Sequence, residues 1–346
     1  MFEPDVHLGN RMNFLVAERF GFLRFCTAIL LCALFFTSCQ KKGKRPVQVD
    51  VGNGHSPGEA VQAGKVEPPP ELGDRFMVGV SGTEMIQVNP GVFQMGSPDN
   101  EPGRDPEETL HKVALTRSFW LGKYEVTRLG WEKVMNPVDP PEEEETDEEE
   151  EEDEEDEEAE EKDPYAGLEK PRHPKVNVNW MEAMDFCAKL TDAEKTAGRL
   201  PAGYVYLLPT EAQWEYACRA GTTTPTAFGE ALGPGDAAID PRRPYGSAAK
   251  ARIPKQLNKV GGYKPNAWGF HDMHGNASEW CLDFFYARYP MKAVQDPVHE
   301  ENTGLKVNRG GSFFLEGGSA RSAKRGSDSP HRKSGEVGFR VALVPE

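Results

Sequence analysis

Cysteine is the residue this chain supplies least usefully. Three of the six, Cys26, Cys32 and Cys39, stand before residue 40, and only Cys187, Cys218 and Cys281 follow. No Cys-x-x-Cys occurs and no cysteine lies beyond Cys281, which removes a thioredoxin-type centre and a zinc ribbon from consideration. In an oxidising compartment the three later thiols allow at most one internal disulfide and leave one spare. Long apolar runs are missing as well. Phe25 to Phe36 covers about a dozen residues, short of the roughly 20 that a membrane-spanning helix needs. There is no phosphate-binding glycine loop and no nucleic-acid-binding motif. No nucleophile-elbow pattern surrounds Ser312, so a Ser-His-Asp hydrolase has no support.

Glycine and proline are plentiful, at 35 and 28 of 346 residues. With 38% hydrophobic and 28% charged residues, this composition fits a soluble, loop-rich fold of short elements better than a helical bundle. The N-terminus reads as an export signal, residues 1–38: Arg19 and Arg24 precede the apolar run, which ends in Phe36-Thr37-Ser38-Cys39. Small residues before a cysteine resemble a bacterial lipobox, although Phe36 replaces the usual leucine-like residue. The expectation is lipidation at Cys39 and a chain held to a membrane by acyl groups rather than a spanning helix. Gln40 after the cysteine points to the outer membrane. Residues 39–75 then read as a flexible linker, basic at Lys41-Lys42-Gly43-Lys44-Arg45 and rich in Gly, Pro and Gln.

The negative charge is concentrated in one place. Residues 142–163 hold nineteen acids and one base, Lys162, a net of −18 in a chain whose total is −16, leaving about +2 for everything else. A block this dense repels itself and cannot bury a core, so an acidic insert without structure is expected over 140–166. It would serve as a solvated loop, a loose calcium sink or a dock for a basic partner.

Around that insert, the sequence alternates strand-like and helix-like segments. Met85-Ile86-Gln87-Val88 and Gly91 to Gly96 flank the Asn89-Pro90-Gly91 turn signal. Val113-Ala114-Leu115 and Phe119-Trp120-Leu121 suggest two more strands, and a helix is expected after Thr127 to about Met135. Trp180 to Leu190 has helical spacing, with Asn179 and Glu182 placed for a capping box. Thr210 to Cys218 reads as another helix, preceded by Pro209 and followed by Gly221. Cys187 and Cys218 are expected in the core as small apolar residues.

Seven landmarks then occur in order: Asn89-Pro90-Gly91-x-Phe93-x-Met95-Gly96-Ser97, Tyr124-Glu125-Val126-Thr127, Val178-Asn179-Trp180, Leu208-Pro209-Thr210-Glu211-Ala212-x-Trp214-Glu215, the run Gly269 to Trp280, Arg309-Gly310-Gly311-Ser312, and Gly338-Phe339-Arg340. Together they resemble the sulfatase-modifying-factor, or formylglycine-generating-enzyme, domain family. The resemblance implies a compact, irregular α+β domain over 76–346, related to C-type lectin folds and interrupted by the acidic insert.

The chemistry implied by the resemblance is incomplete. Family members that make formylglycine hold copper(I) between two cysteines, soft ligands suited to that ion. Those positions fall here at Leu315 and near Ala320. Copper is therefore not expected, and the reading is a non-oxidase member that binds a ligand or an envelope protein partner. The alternative is an enzyme of the same family, either a formylglycine-generating oxidase or an oxidoreductase using another metal. The family's calcium site does have counterparts, in the side chains of Asp272 and Glu279 and the carbonyls of Gly275 and Ala277. Hard carboxylates and carbonyls around a glycine turn suit calcium. Otherwise Asp272 and Glu279 would only accept from loop amides. His271 and His274 flank Asp272, but a glycine-bounded turn does not align them for a transition metal. Arg309, Arg321, Arg325 and Arg340 are expected to brace loops, with Arg325 open to a ligand-facing role.

Overall fold

Short apolar segments separated by turn residues build three small sheets and three helices. The computed structural model describes residues 72–138 and 165–346. The export signal, Cys39, nearly all of the linker and the acidic block at 142–163 lie outside the described residues. In chain order the elements are β1 (Arg75–Met77), β2 (Glu84–Val88), β3 (Gly91–Met95), β4 (His111–Leu115), β5 (Phe119–Gly122), α1 (Arg128–Met135), α2 (Trp180–Thr196), β6 (Tyr204–Leu207) and α3 (Glu211–Arg219). There follow β7 (Ser278–Phe284), β8 (Val294–Gln295), β9 (Lys306–Arg309), β10 (Gly326–Asp328), β11 (Val337–Gly338) and β12 (Ala342–Pro345).

The largest sheet is antiparallel, in the order β1-β2-β5-β12-β6. It divides two hydrophobic cores, and the period-2 alternation of side chains decides which residue enters which. Met85, Trp120 and Leu343 face one core; Ile86, Val88, Phe119, Leu121 and Ala342 face the other. Strand β5 is buried along its whole length, which is why Phe119-Trp120-Leu121 is apolar without interruption. Helices α1 and α2 fill the first core. There Trp131 stacks on Phe186 at 5.6 Å, and Phe339 meets Phe186 edge-on at 5.3 Å, geometries favoured by the ring quadrupoles. Helix α3 fills the second core with Ala212, Trp214, Ala217 and Cys218.

The helix starts follow their local sequence. Asn179 Oδ1 accepts from Glu182 N at 2.9 Å, and Glu182 Oε2 accepts from Asn179 N at 3.1 Å, completing the expected capping box. Thr210 and Gln213 form a second box at the start of α3, and Thr127 caps α1. Cys187 and Cys218 are fully buried, as expected, and so is Cys281; all three are free thiols.

Sheet membership was not legible in the same way. The Asn89-Pro90-Gly91 turn carries the chain from one sheet to another: β2 stays in the large sheet, whereas β3 joins β4 and β8. The end of the Gly269 to Trp280 run is not turn at all. It enters β7, which with β9, β10 and β11 forms a four-stranded sheet.

Phe186 sits where three aromatic rings meet. Phe186→Ala is expected to lower the free energy of unfolding by about 3–5 kcal/mol, through lost transfer energy and a residual cavity. Met181→Ala, on the exposed side of the same helix, should change it by less than about 0.5 kcal/mol. Urea denaturation of the two variants checks the contrast.

Candidate functional site

Three acidic side chains and one arginine meet beneath the Gly269 to Trp280 run. Asp272, in the left-handed region at φ 56°, accepts from Gly261 N at 2.6 Å through Oδ2. Glu279, on β7, is held by three hydrogen bonds from two residues. Arg340 Nε and Nη2 donate to its two oxygens at 2.6 Å each, and Trp214 Nε1 donates to Oε2 at 2.7 Å. The third carboxylate is Glu125, which the sequence reading did not single out as a site residue. Its Oε1 accepts from Asn276 Nδ2 at 2.9 Å, while its Oε2 is buried with no hydrogen-bond partner. The available signal was its place in Tyr124-Glu125-Val126-Thr127, which served only as a landmark.

Gly275 makes this geometry possible. At φ 88° a side chain there would be strained, and its Cβ would stand 2.2 Å from Ala238 O. The turn can therefore press against the 237–239 segment. Gly275 N donates to Gly310 O at 2.7 Å, which links the run to the Arg309-Gly310-Gly311-Ser312 landmark.

The charge balance is unfavourable for the isolated side chains. Glu125, Asp272 and Glu279 are all nearly or fully buried, and Arg340 is the cation paired among them. Burial, then the charges of Asp272 and Glu279, holds the Glu125 carboxyl well above the usual carboxylate range. Burial likewise raises Asp272, to about 6. A hard divalent cation would offset the excess negative charge and give the orphaned Glu125 oxygen a partner. The donors that could hold one are the carboxylates of Glu125, Asp272 and Glu279 and the carbonyls of Gly275 and Ala277, with Glu279 shared between the cation and Arg340. Among the described residues no three His, Cys, Asp or Glu side chains are grouped to hold a metal by themselves. A site here would depend on backbone oxygens, as calcium permits and a transition metal does not favour.

The histidines of the run are otherwise engaged. His274 Nδ1 donates to Ala320 O at 2.7 Å, and Nε2 accepts from Ala227 N at 3.0 Å. These bonds fix the neutral tautomer, and burial pushes the pKa down to about 4. His274 also stands 3.7 Å from Cys218 Sγ, but burial raises that thiol to about 12. The pair is therefore a packed contact rather than an activated nucleophile. His271 Nδ1 bonds Tyr263 O at 2.8 Å.

The arginines brace the fold as expected. Arg309 pairs with Glu215, and Arg321 pairs with Glu101 and Glu108. Arg325 Nε and Nη2 grip Glu211 at 2.7 and 2.8 Å, with its guanidinium against Phe285 and Tyr289. Arg325 thus faces the interior, and the ligand-facing alternative is not what the fold presents. Leu315 stands on an exposed loop, its carbonyl accepting from Asp240 N at 2.7 Å. Ala320 is buried at the end of a short 3-10 helix, Gly317–Ala320.

The family model for the sulfatase-modifying factor enzyme 1-like domain matches residues 74–344. The chain belongs to that family. It is 24% identical over 299 residues to the formylglycine-generating enzyme of Bos taurus, covering 75% of this chain and 74% of the relative. It is 33% identical over 182 residues to the formylglycine-generating enzyme of Streptomyces coelicolor, covering 50% and 53%. Among solved structures it is similar to PvdO from Pseudomonas aeruginosa. That likeness has a TM-score of 0.57 and 26% identity, over 78% of this chain and 97% of the other. The family supplies the α+β fold expected from the seven landmarks, and its low content of regular structure is what the glycine and proline count implied.

The raised carboxyls predict a pH effect with a definite sign. A carboxylate whose folded pKa lies above its unfolded value makes the folded state bind more protons between the two, so stability falls as pH rises through that window. For Asp272 the window runs from its ordinary 3.8 to about 6, and the loss is on the order of 3 kcal/mol. In chelator, the wild type should lose stability relative to Asp272→Asn between about pH 4 and pH 6 and track it above. Parallel urea curves at several pH values would refute this if the difference stayed constant.

Proposed function

We propose that this protein is a lipid-anchored bacterial envelope member of the family, without oxidase activity, whose domain binds a protein partner or ligand and is braced by calcium. The observation that carries the reading is Leu315 at the first thiolate position, together with the lack of any cysteine after Cys281. The described thiols offer no substitute. Cys187, Cys218 and Cys281 are buried, and burial raises all three above the usual thiol range. Copper(I) is a soft ion that needs thiolates, and exposed aliphatic Leu315 supplies none.

The calcium assignment is supported by the charge excess and the orphaned Glu125 oxygen. When bound, calcium would supply two positive charges to the turn. This chain's residues would contribute oxygens from Glu125, Asp272, Gly275, Ala277 and Glu279 and hold the loop against β7. Anchoring rests on Cys39 and the apolar run before it, with the outer membrane the favoured location. No nucleic-acid partner is proposed. The second reading, an enzyme of the same family, is favoured by the relatives named formylglycine-generating enzymes. It would need another metal or a different redox centre.

Two measurements separate these readings. Competition with a chromophoric copper(I) chelator should find no tight stoichiometric site, and a cysteine-containing sulfatase peptide should gain no aldehyde; one equivalent of tight copper(I) or turnover of the peptide would sink the non-oxidase reading. Calcium should raise the thermal midpoint of the wild type, and the rise should be at least halved in Glu125→Gln. An equal rise in both would remove Glu125 from the site.

A further inference from the structure

Asn258 N donates to Asn276 Oδ1 at 2.9 Å, and Asn258 also lines a separate cleft of about 680 Å³. The charged side chains around this cleft are all basic: Arg128, Lys170, His173 and Lys175. No aspartate or glutamate lines it. Among the described residues Arg128 and Lys170 make no ion pair, and Lys175 reaches Glu132 only at 4.0 Å while lying over the Trp131 ring. The His173 Nδ1 atom is buried with no hydrogen-bond partner. Two lining residues without glycine's freedom, Lys170 and Asn177, are held at φ 51° and 60°. Such conformations persist where surrounding structure enforces them, often at binding sites. Burial, and then the charges of Lys170 and Arg128, lower His173; burial lowers Lys175 against the opposing charge of Glu132. An anion would relieve that electrostatic load.

The ligand is best matched by more than one negative group. From Asn258 the wall runs back through Leu257 and Gln256 to Lys255, whose ammonium lies 3.9 Å from the Phe314 ring centroid. Phe314 is half exposed, and Leu315 follows it. Lys255 is itself paired with Asp240 at 3.0 Å, so it is apolar surface that continues beyond the cleft. The acidic block at 142–163 falls in the sequence between the described stretches that carry Arg128 and Lys170. Helix α1 spans Arg128–Met135, the described chain continues to Val138, and it resumes at Tyr165, five residues before Lys170. Tyr165 Oη is 3.4 Å from Val138 N, so the two ends meet.

We propose that this cleft receives the carboxylates of an acidic peptide segment, recognised by Arg128, Lys170, His173 and Lys175. The occupant is the chain's own acidic segment at 142–163, whose charge complements the cleft and whose flanking residues Val138 and Tyr165 meet. The proposal does not depend on the absence of oxidase activity or on calcium. The probe is a fluorescent peptide with the sequence of residues 142–163, titrated by anisotropy into detergent-solubilised protein. One form is the full chain, and the other has that block replaced by a Gly/Ser linker. The linker form should bind the peptide, more weakly as salt rises. Arg128→Glu with Lys170→Glu should weaken binding at least tenfold, and Lys170→Glu alone, on an exposed residue, at least threefold. Lys112→Glu on β4 should change it less than twofold, with circular dichroism confirming that each variant is folded. If the full chain binds at least tenfold more weakly than the linker form, its own block occupies the cleft. Equal binding by the two forms overturns the assignment to the chain's own segment. The proposal is overturned if the linker form does not bind, or if Lys112→Glu weakens binding as much as the cleft variants do.

Discussion

The fold depends on the buried pairing of Arg340 with Glu279. The guanidinium precedes β12 of the large sheet, and the carboxylate belongs to β7 of the four-stranded sheet. The same arginine donates to Gly122 O at 2.9 Å, at the end of β5, and to His271 O at 3.0 Å, in the glycine-rich run. Trp214 brings α3 to the same carboxylate. Two sheets, a helix and the site turn are thus fastened at one ion pair with no exposure to water. A buried pair of this kind adds little over a well-packed apolar substitute, but removing one partner leaves a buried charge and costs about 3–5 kcal/mol. It also ties together the elements that meet there, since Glu279 accepts from Arg340 and the Trp214 indole while Arg340 donates to the Gly122 and His271 carbonyls.

That constraint also shapes the candidate site. Arg340 neutralises one carboxylate, while the charge of Asp272 still raises Glu125, and among the described residues neither of these two makes an ion pair. Elsewhere the domain matches its buried acids with bases: Glu211 with Arg325, Glu215 with Arg219 and Arg309, Glu108 with Arg321. Asp283 is buried without a base but accepts from two backbone amides, Glu211 N and His299 N; below Gly275 a carboxylate oxygen of Glu125 has no donor at all among the described residues. That single carboxylate oxygen without a donor is the observation from which the cation is proposed.

What the sequence made legible was local. Asn179 with Glu182, the apolar spacing of α2 and the uninterrupted Phe119-Trp120-Leu121 run each carry their own physical signal, and the structure follows them. Asp272 and Glu279 were visible as paired carboxylates around a glycine. Glu125 was not, because it lies more than a hundred residues away and only the tertiary fold brings it beneath the turn. The passage of the chain from β2 in one sheet to β3 in another was hidden for a related reason. A turn signal states that the chain bends, and sheet membership depends on which distant strand offers a matching edge. Arg325 shows the reverse limit: an arginine in a landmark region is equally consistent with a ligand and with Glu211, and burial decides for Glu211.

The architecture tolerates Leu315 and Ala320 at the two positions where the resemblance would place thiolates. Leu315 lies on an exposed loop, outside the three core clusters, and its backbone carbonyl bonds Asp240 N whatever side chain it carries. Replacing cysteine by leucine at such a position removes a soft metal ligand without opening a cavity or orphaning a buried group. The opposite holds at Ala320. Its carbonyl fixes the His274 tautomer and its methyl fills a small core cluster with Leu232, Ala237, Ile239 and Tyr245, so a reactive thiol there would have to share space with packing. Of these two positions, Leu315 is therefore surface and Ala320 is structure. Restoring a cysteine at Leu315 alone would give a single exposed thiol, and the second ligand would have to displace part of the core.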